Sequence, residues 1–255
     1  MLVGQFQRYV VPGYNVTVDE LRIPCHHELC AQKNHNRDKP DIWAIESKSL
    51  HAENGYLFDF INPVLDPLPS PSFSVSKFMC TLSKTGRRHH LVMDSNFLSA
   101  LDIRTIDNHG FDATISCRSN RPSFIWQHGL AHKLPRGYSR VASSKRMCCV
   151  ATRNKGTPKI ATNLCVAVEG TCSSGVKERR DVLKIYDSLK GKADYFGHLF
   201  KAQYPYGFHR SWLTTLLVGW FYFSMTNAFI LYSMKSDDLT HSQFVYQVAC
   251  DLMQL

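Results

Sequence analysis

The sequence predicts a mixed α/β fold that carries a basic, mainly β insertion and finishes in helices. Three observations predict it. Strand-like apolar runs alternate with helical spacing between residues 41 and 116. From Ala113 to Val168 there is no Asp or Glu, yet ten Lys or Arg. From Val176 onward the spacing is helical and includes an uncharged run from Trp212 to Met234.

The elements follow in order. "DIWAIESKSL", "HAENG" and "YLFDFI" read as a β-hairpin, with Asn54-Gly55 supplying a positive-φ turn. "DPLPSPS" (66–72) is a Pro/Ser loop leading into a helix at 73–83. "RRHHLVMD" is a strand, "SNFLSALDI" starts a helix, and "FDATISCR" is the strand that opens the acid-free segment. That segment ends in the small-residue loop "EGTCSSG". "VKERRDVLKIYDSLKGKADYFGHLF" is helical, with Val182, Leu183, Ile185, Tyr186 and Leu189 apolar. In the last stretch Phe244, Val245, Val248, Ala249, Leu252 and Met253 form a stripe behind a Thr240 or Ser242 cap.

Composition narrows the class. With 255 residues, 44% hydrophobic and 20% charged, the chain is a folded protein with room for a proper core. Nine scattered cysteines are an odd number and read as reduced, intracellular thiols, not a disulfide framework. "MLVGQFQRYVVPG" lacks the apolar core of a signal peptide, so the sequon at Asn15 carries no meaning. The run from Trp212 to Met234 is long enough to span a bilayer. It contains Thr214, Thr215, Ser224, Thr226 and Asn227, and reads better as the core helix of a soluble protein with no membrane partner.

The net charge of +9 is concentrated in one place. The acid-free segment contributes 10 − 0 = +10, leaving 20 − 21 = −1 elsewhere. Phe124, Trp126, His128, His132 and Tyr138 stand among its charges, as a polyanion-binding surface requires. Its candidate nucleic-acid contacts are Arg118, Asn120, Arg121, Lys133, Arg136, Arg140, Lys145 and Arg146. Arg and Lys suit phosphates, while Arg and Asn also match base edges.

"LVMDSNFLS" (91–99) poses the chemical question, because Asp94 directly follows an apolar strand. An aspartate there serves either as a helix N-cap or as a metal-binding carboxylate at the edge where open sheets gather their sites. "CHHELCAQKNH" (25–35) crowds Cys25, His26, His27, Cys30 and His35, but its spacing matches no common structural zinc pattern. Cys148-Cys149 reads as packing. There is no Gly-rich phosphate loop, nucleophile elbow or His-Glu-x-x-His motif, which argues against nucleotide-dependent, hydrolase and metalloprotease readings.

Six blocks in order resemble the core of piggyBac-type transposases. They are "NVTVDELRIP", "KPDIWAIES", "VMDSNFLS", "ISCRSNRP", "YDSLKGKAD" and "NAFILY". The second is similar to a Lys-Pro-x-x-x-Gly-Ile-Lys strand, the third to Met-Asp-Asn-Trp-Phe-Thr-Ser, and the fourth to Thr-Val-Arg-Ser-Asn-Arg. The fifth resembles Tyr-Asn-x-x-Met-Gly-Gly-Val-Asp and the sixth Asn-Ala-Tyr-Ile-Leu-Tyr. The resemblance covers about Val11 to Met253. It implies an RNase H-like, DDE-type core whose acids hold two divalent ions, Mg²⁺ where the site is active. Such ions stabilise both oxygens of an in-line displacement at phosphorus.

Carried over by motif, Asp94 matches the second family acid and Asp194 the third, the two candidate catalytic and metal-binding residues. The first position falls on Ala52, beside Glu53, and the fourth on Gly197. The Gly-Gly pair before the third acid has become Gly191-Lys192, and a lysine there disfavours cation binding. The resemblance divides the chain into a segment entering the core (1–37), the first part of an RNase H-like domain (38–108), a basic insertion module (109–179) and a helical completion of the domain (180–255). On this reading the chain begins inside the family architecture, and stops before its Cys-rich zinc-binding tail.

The expectation is a nuclear, domesticated, transposable-element-derived DNA-binding protein with an inactive DDE site, in which oligomers are allowed. One alternative is a scaffolding or decaying transposon product of the same fold that binds no DNA. The other is an active metal-dependent recombinase that recruits Glu53 or Asp59.

Overall fold

The computed structural model describes residues 2–62, 64, 70–97, 102–117, 139–144, 147–152, 159–162, 176–205 and 211–254. They divide into two units. One comprises residues 1–11, 19–69 and 192–255, the other residues 12–18 and 70–191. Strand β1 (Asn15–Pro24) and helix α4 (Val176–Gln203) each contribute to both units.

The first unit contains α1 (Leu2–Tyr9), the second half of β1, β2 (Lys33–His35), β3 (Trp43–Ala52) and β4 (Leu57–Ile61). It also holds the end of α4, α5 (Trp212–Ser233) and α6 (His241–Met253). Strand β3 pairs antiparallel with β2 and with β4, and β1 is its other neighbour. The β3–β4 hairpin forms where it was expected, but its turn differs. Gly55 is the residue at positive φ, 90°, and Asn54 is not. The Gly55 N–H reaches the Ala52 carbonyl at 2.9 Å and the Ala52 N–H reaches the Tyr56 carbonyl at 2.9 Å. The loop is therefore three residues closed by a glycine bulge, a geometry that leaves Asn54 free to accept the Tyr56 N–H with its side chain at 3.1 Å.

Helix α5 is the apolar run from Trp212, started by Ser211, whose hydroxyl accepts the Thr214 N–H. Leu216, Phe223 and Ile230 pack with Ile23, Leu57, Phe60, Phe196 and Phe200 in this unit's core. A Cβ on Gly219 would lie 2.5 Å from Ile23 Cδ1, so only glycine lets α5 approach β1 this closely. Asn227 is buried and clamps β4: its amide donates to the Leu57 carbonyl at 2.9 Å and accepts the Leu57 N–H at 2.8 Å. The amide thereby completes the backbone hydrogen bonds of a strand whose ladder partner is β3, as a buried polar group must. By length and composition α5 could cross a membrane, and 44% of its apolar window is buried in the protein. Of the two expected caps, Thr240 starts helix α6, in a capping box with Gln243, and Phe244 meets Phe229 and Tyr232.

The second unit holds α2 (Pro71–Ser83), β5 (His90–Met93), α3 (Asp102–Asn108), β6 (Asp112–Ser116), β7 (Ser139–Ser144), β8 (Met147–Thr152) and β9 (Lys159–Thr162). Its strand order is β1-β5-β6-β9-β8-β7, with β1, β5 and β6 parallel. Every residue of β5 is buried, His90 included, as expected when both faces of a parallel strand are covered. Past β6 the described parts of the acid-free segment include strands β7, β8 and β9, and β9 joins the other two antiparallel to β6. "SNFLSALDI" does not start a helix directly. Residues 95–97 form a turn, the Phe97 N–H reaches the Asp94 carbonyl at 3.1 Å, and α3 begins at Asp102. Short polar side chains at 94–96 compete for backbone hydrogen bonds and favour the turn.

Candidate functional site

Parallel pairing brings the C-terminal ends of β5 and β6 to one edge of the second unit. Met93 is in register with Ile115, so Asp94 and Ser116 stand side by side one step beyond. One oxygen of Asp94, Oδ1, accepts the Ser95 hydroxyl at 2.8 Å and the Ser116 hydroxyl at 3.2 Å. The other, Oδ2, lies 3.5 Å from Nζ of Lys190 on α4, in a pair whose side chains are 30% and 36% exposed. The Lys190 ammonium also stands 5.8 Å from the ring centroid of Tyr186, one helical turn earlier. Burial by itself would raise the Asp94 pKa, but the Ser95 hydroxyl, the Lys190 charge and the Ser116 hydroxyl together hold it below the ordinary aspartate value. Asp94 is thus ionised, with an ammonium on one oxygen and two hydroxyls on the other.

The other three family positions lie in the first unit. Ala52 closes β3 and is buried, at 3% exposure. Its hairpin turn presses on α4: a Cβ on Gly55 would lie 3.0 Å from the Lys192 carbonyl oxygen and 3.2 Å from the Tyr195 ring. The hairpin therefore sits against the same helical turn that carries Asp194, with Gly197 three residues further on. Asp194 is exposed, and a Cβ on Gly197 would meet nothing within 4 Å. At the three positions where the family has acids, this chain has one carboxylate, a methyl group and a hydrogen. Glu53 is exposed in the turn, and Asp59 is buried on β4, opposite Leu50.

These residues do not fit the two-metal site that the resemblance implies. Two divalent ions need several carboxylates to neutralise and bridge them, and Asp94 is already occupied by an ammonium and two hydroxyls. Among the described residues no group of three or more His, Cys, Asp or Glu could hold a metal ion. In the "CHHELC" stretch Cys25 and Cys30 are free and buried, and the Lys33 ammonium donates to the His27 carbonyl at 3.0 Å.

Sequence reasoning named Asp94 and Asp194 as site residues and did not name Ser116, Tyr186 or Lys190. It flagged Lys192 as the lysine that disfavours a cation; Lys192 is exposed, and the lysine paired with Asp94 is Lys190. Helical spacing was the available signal, since Tyr186 and Lys190 are four apart on one face. Of the nucleic-acid candidates, Arg118, Asn120, Arg121, Lys133, Arg136, Lys145 and Arg146 lie outside the described residues. Arg140 lies on β7, where it pairs with Ala151; Lys159 on β9 pairs with the same Ala151 from the other side.

The comparisons with known proteins agree with this architecture. The cryo-EM structure of the piggyBac transposase synaptic complex with hairpin DNA matches with a TM-score of 0.79 at 17% identity, over 98% of this chain and 54% of that one. The chain thus spans about half the length of that transposase chain. The match establishes the RNase H-like α/β fold expected from the sequence blocks. No curated protein matches. The family model described as Transposase IS4 runs through residues 1–229, most of the chain, and on that match the protein belongs to this family of DDE-type transposases.

Proposed function

We propose that this chain is a transposable-element-derived DNA-binding protein whose DDE site no longer cuts DNA. One observation carries the loss of cleavage. At the three family acid positions, the hairpin and the α4 turn carry Ala52, Asp194 and Gly197, so only one of the three is an acid. Phosphoryl transfer depends almost wholly on positioned charge, so two acids missing out of four removes the means of holding both metals. DNA binding is supported by the ten uncompensated charges of residues 113–168. It is also supported by the fold shared with a transposase solved in a complex with hairpin DNA. A DNA-bound, intracellular chain of this kind acts in the nucleus.

Fluorescence anisotropy on a labelled duplex, together with a supercoiled-plasmid nicking assay in Mg²⁺ or Mn²⁺, tests both halves. The expected result is binding with a log–log salt slope of roughly −4 to −5, as about five phosphate contacts would give, and no nicking. Alanine at Arg118 and Arg121 should flatten that slope by up to about two units. Metal-dependent nicking would instead reveal an active recombinase. No binding at low salt would make the chain a scaffold.

A further inference from the structure

We infer that the Lys190 ammonium is the resident cation of the Asp94 pocket, a fixed positive charge that keeps divalent metal out. The inference deepens the inactive-site reading above and rests on it. Apart from the charge, the pocket still has the chemistry of a hard-cation site. It presents one carboxylate and two hydroxyl oxygens, from Asp94, Ser95 and Ser116, at the edge of a parallel sheet. What fills it is Nζ of Lys190, 3.5 Å from Asp94 Oδ2 and 5.8 Å from the centroid of the Tyr186 ring.

Position supports the same conclusion. In the block "YDSLKGKAD" the resemblance places a methionine where Lys190 stands. Methionine and lysine are both long and unbranched, so exchanging them changes little but the charge. A divalent ion approaching Asp94 must therefore displace the ammonium or share one carboxylate with it, and like charges a few ångströms apart repel. The two carboxylate oxygens are also divided between different partners, so the lysine cannot move aside within the pocket without giving up its pair.

Mn²⁺ binding to the full chain, read from the loss of the free-ion electron paramagnetic resonance signal, tests the inference. K190M should bind Mn²⁺ about tenfold more tightly than the parent chain, the size of one charge–charge interaction in a half-exposed site. K190R, which keeps the charge, should bind as weakly as the parent. D94N/K190M should lose the gain, which places the ion at Asp94. K190Q replaces K190M if the melting temperature shows that the latter does not fold. Equal Mn²⁺ affinities for the parent chain and K190M, or a gain that survives D94N, would overturn the inference. Plasmid nicking by the parent chain would instead sink the inactive-site reading, so the two failures are distinguishable. K190M itself should still not nick DNA, because Ala52 and Gly197 stay as they are.

Discussion

The two ends of the β5–β6 pair each hold an aspartate against a cation, and they do it differently. At the N-terminal end Asp112 is buried at 6% exposure. Arg88 grips it with both prongs, Nε to Oδ2 at 2.8 Å and Nη2 to Oδ1 at 2.7 Å, and the Tyr14 hydroxyl donates to Oδ2 as well. Beside it the buried His90 ring is hydrogen-bonded to Asn15 Oδ1 at 2.9 Å and to Thr114 Oγ1 at 2.8 Å. At the C-terminal end Asp94 is half-buried and faces a single flexible ammonium at 3.5 Å. A planar guanidinium matches a carboxylate in shape, whereas a lysine supplies only a point charge. The first arrangement fastens β1, β5 and β6 together. The second neutralises a carboxylate at a place where chemistry could occur.

Breaking the first end should have the larger effect. D112A is expected to destabilise the protein by about 3 kcal/mol in urea denaturation, because the Tyr14 hydroxyl and the Arg88 fork lose their acceptor. A loss under about 1 kcal/mol would mean that the network is decorative.

Acid should attack the same end. Burial lowers the His90 pKa to about 4, and that of the fully buried His51 in the first unit also to about 4. Both rings are therefore neutral in the folded state while an unfolded histidine titrates near 6.5. Their contribution is intact above pH 6.5 and is lost as the pH falls from 6.5 towards 4, by up to about 3 kcal/mol for each ring. Asp112 adds a lower limb. Burial would raise its pKa, but the Arg88 and Tyr14 hydrogen bonds lower it, so its contribution holds above the ordinary aspartate range and is lost below it. Urea midpoints at pH 7, 5.5 and 4.5 should fall monotonically, and H90Q should flatten the slope.

Smaller effects sharpen the contrast. R88A should cost about 1 kcal/mol, since the Arg88 side chain is 57% exposed and Asp112 keeps Tyr14. D94N should change stability by no more than about 0.5 kcal/mol in the same denaturation experiment, as expected of a half-exposed pair. A D94N loss as large as that of D112A would erase the distinction between the two ends.

Much of this molecule was legible in its residues. Asn54-Gly55 between two apolar runs specified a hairpin, the apolar run before Asp94 specified a strand, and Thr240 or Ser242 marked a helix start. Each of these rests on interactions between residues close in sequence, so periodicity and turn chemistry suffice. The same holds for the departures at Ala52 and Gly197, which a motif exposes position by position.

The remainder depended on tertiary structure. Asn227 meets Leu57 across 170 positions, Ser116 meets Asp94 across 22, and β9 pairs with β6 across about 45. Nothing in local spacing says which strands lie side by side or in what register. Lys190 and Lys192 show the point most sharply. The sequence by itself determined that a lysine, Lys192, stands just before the family's third acid, and that this disfavours a metal. Only the packed helix decided which of the two lysines reaches Asp94, because residues two apart on a helix point about 200° apart around its axis.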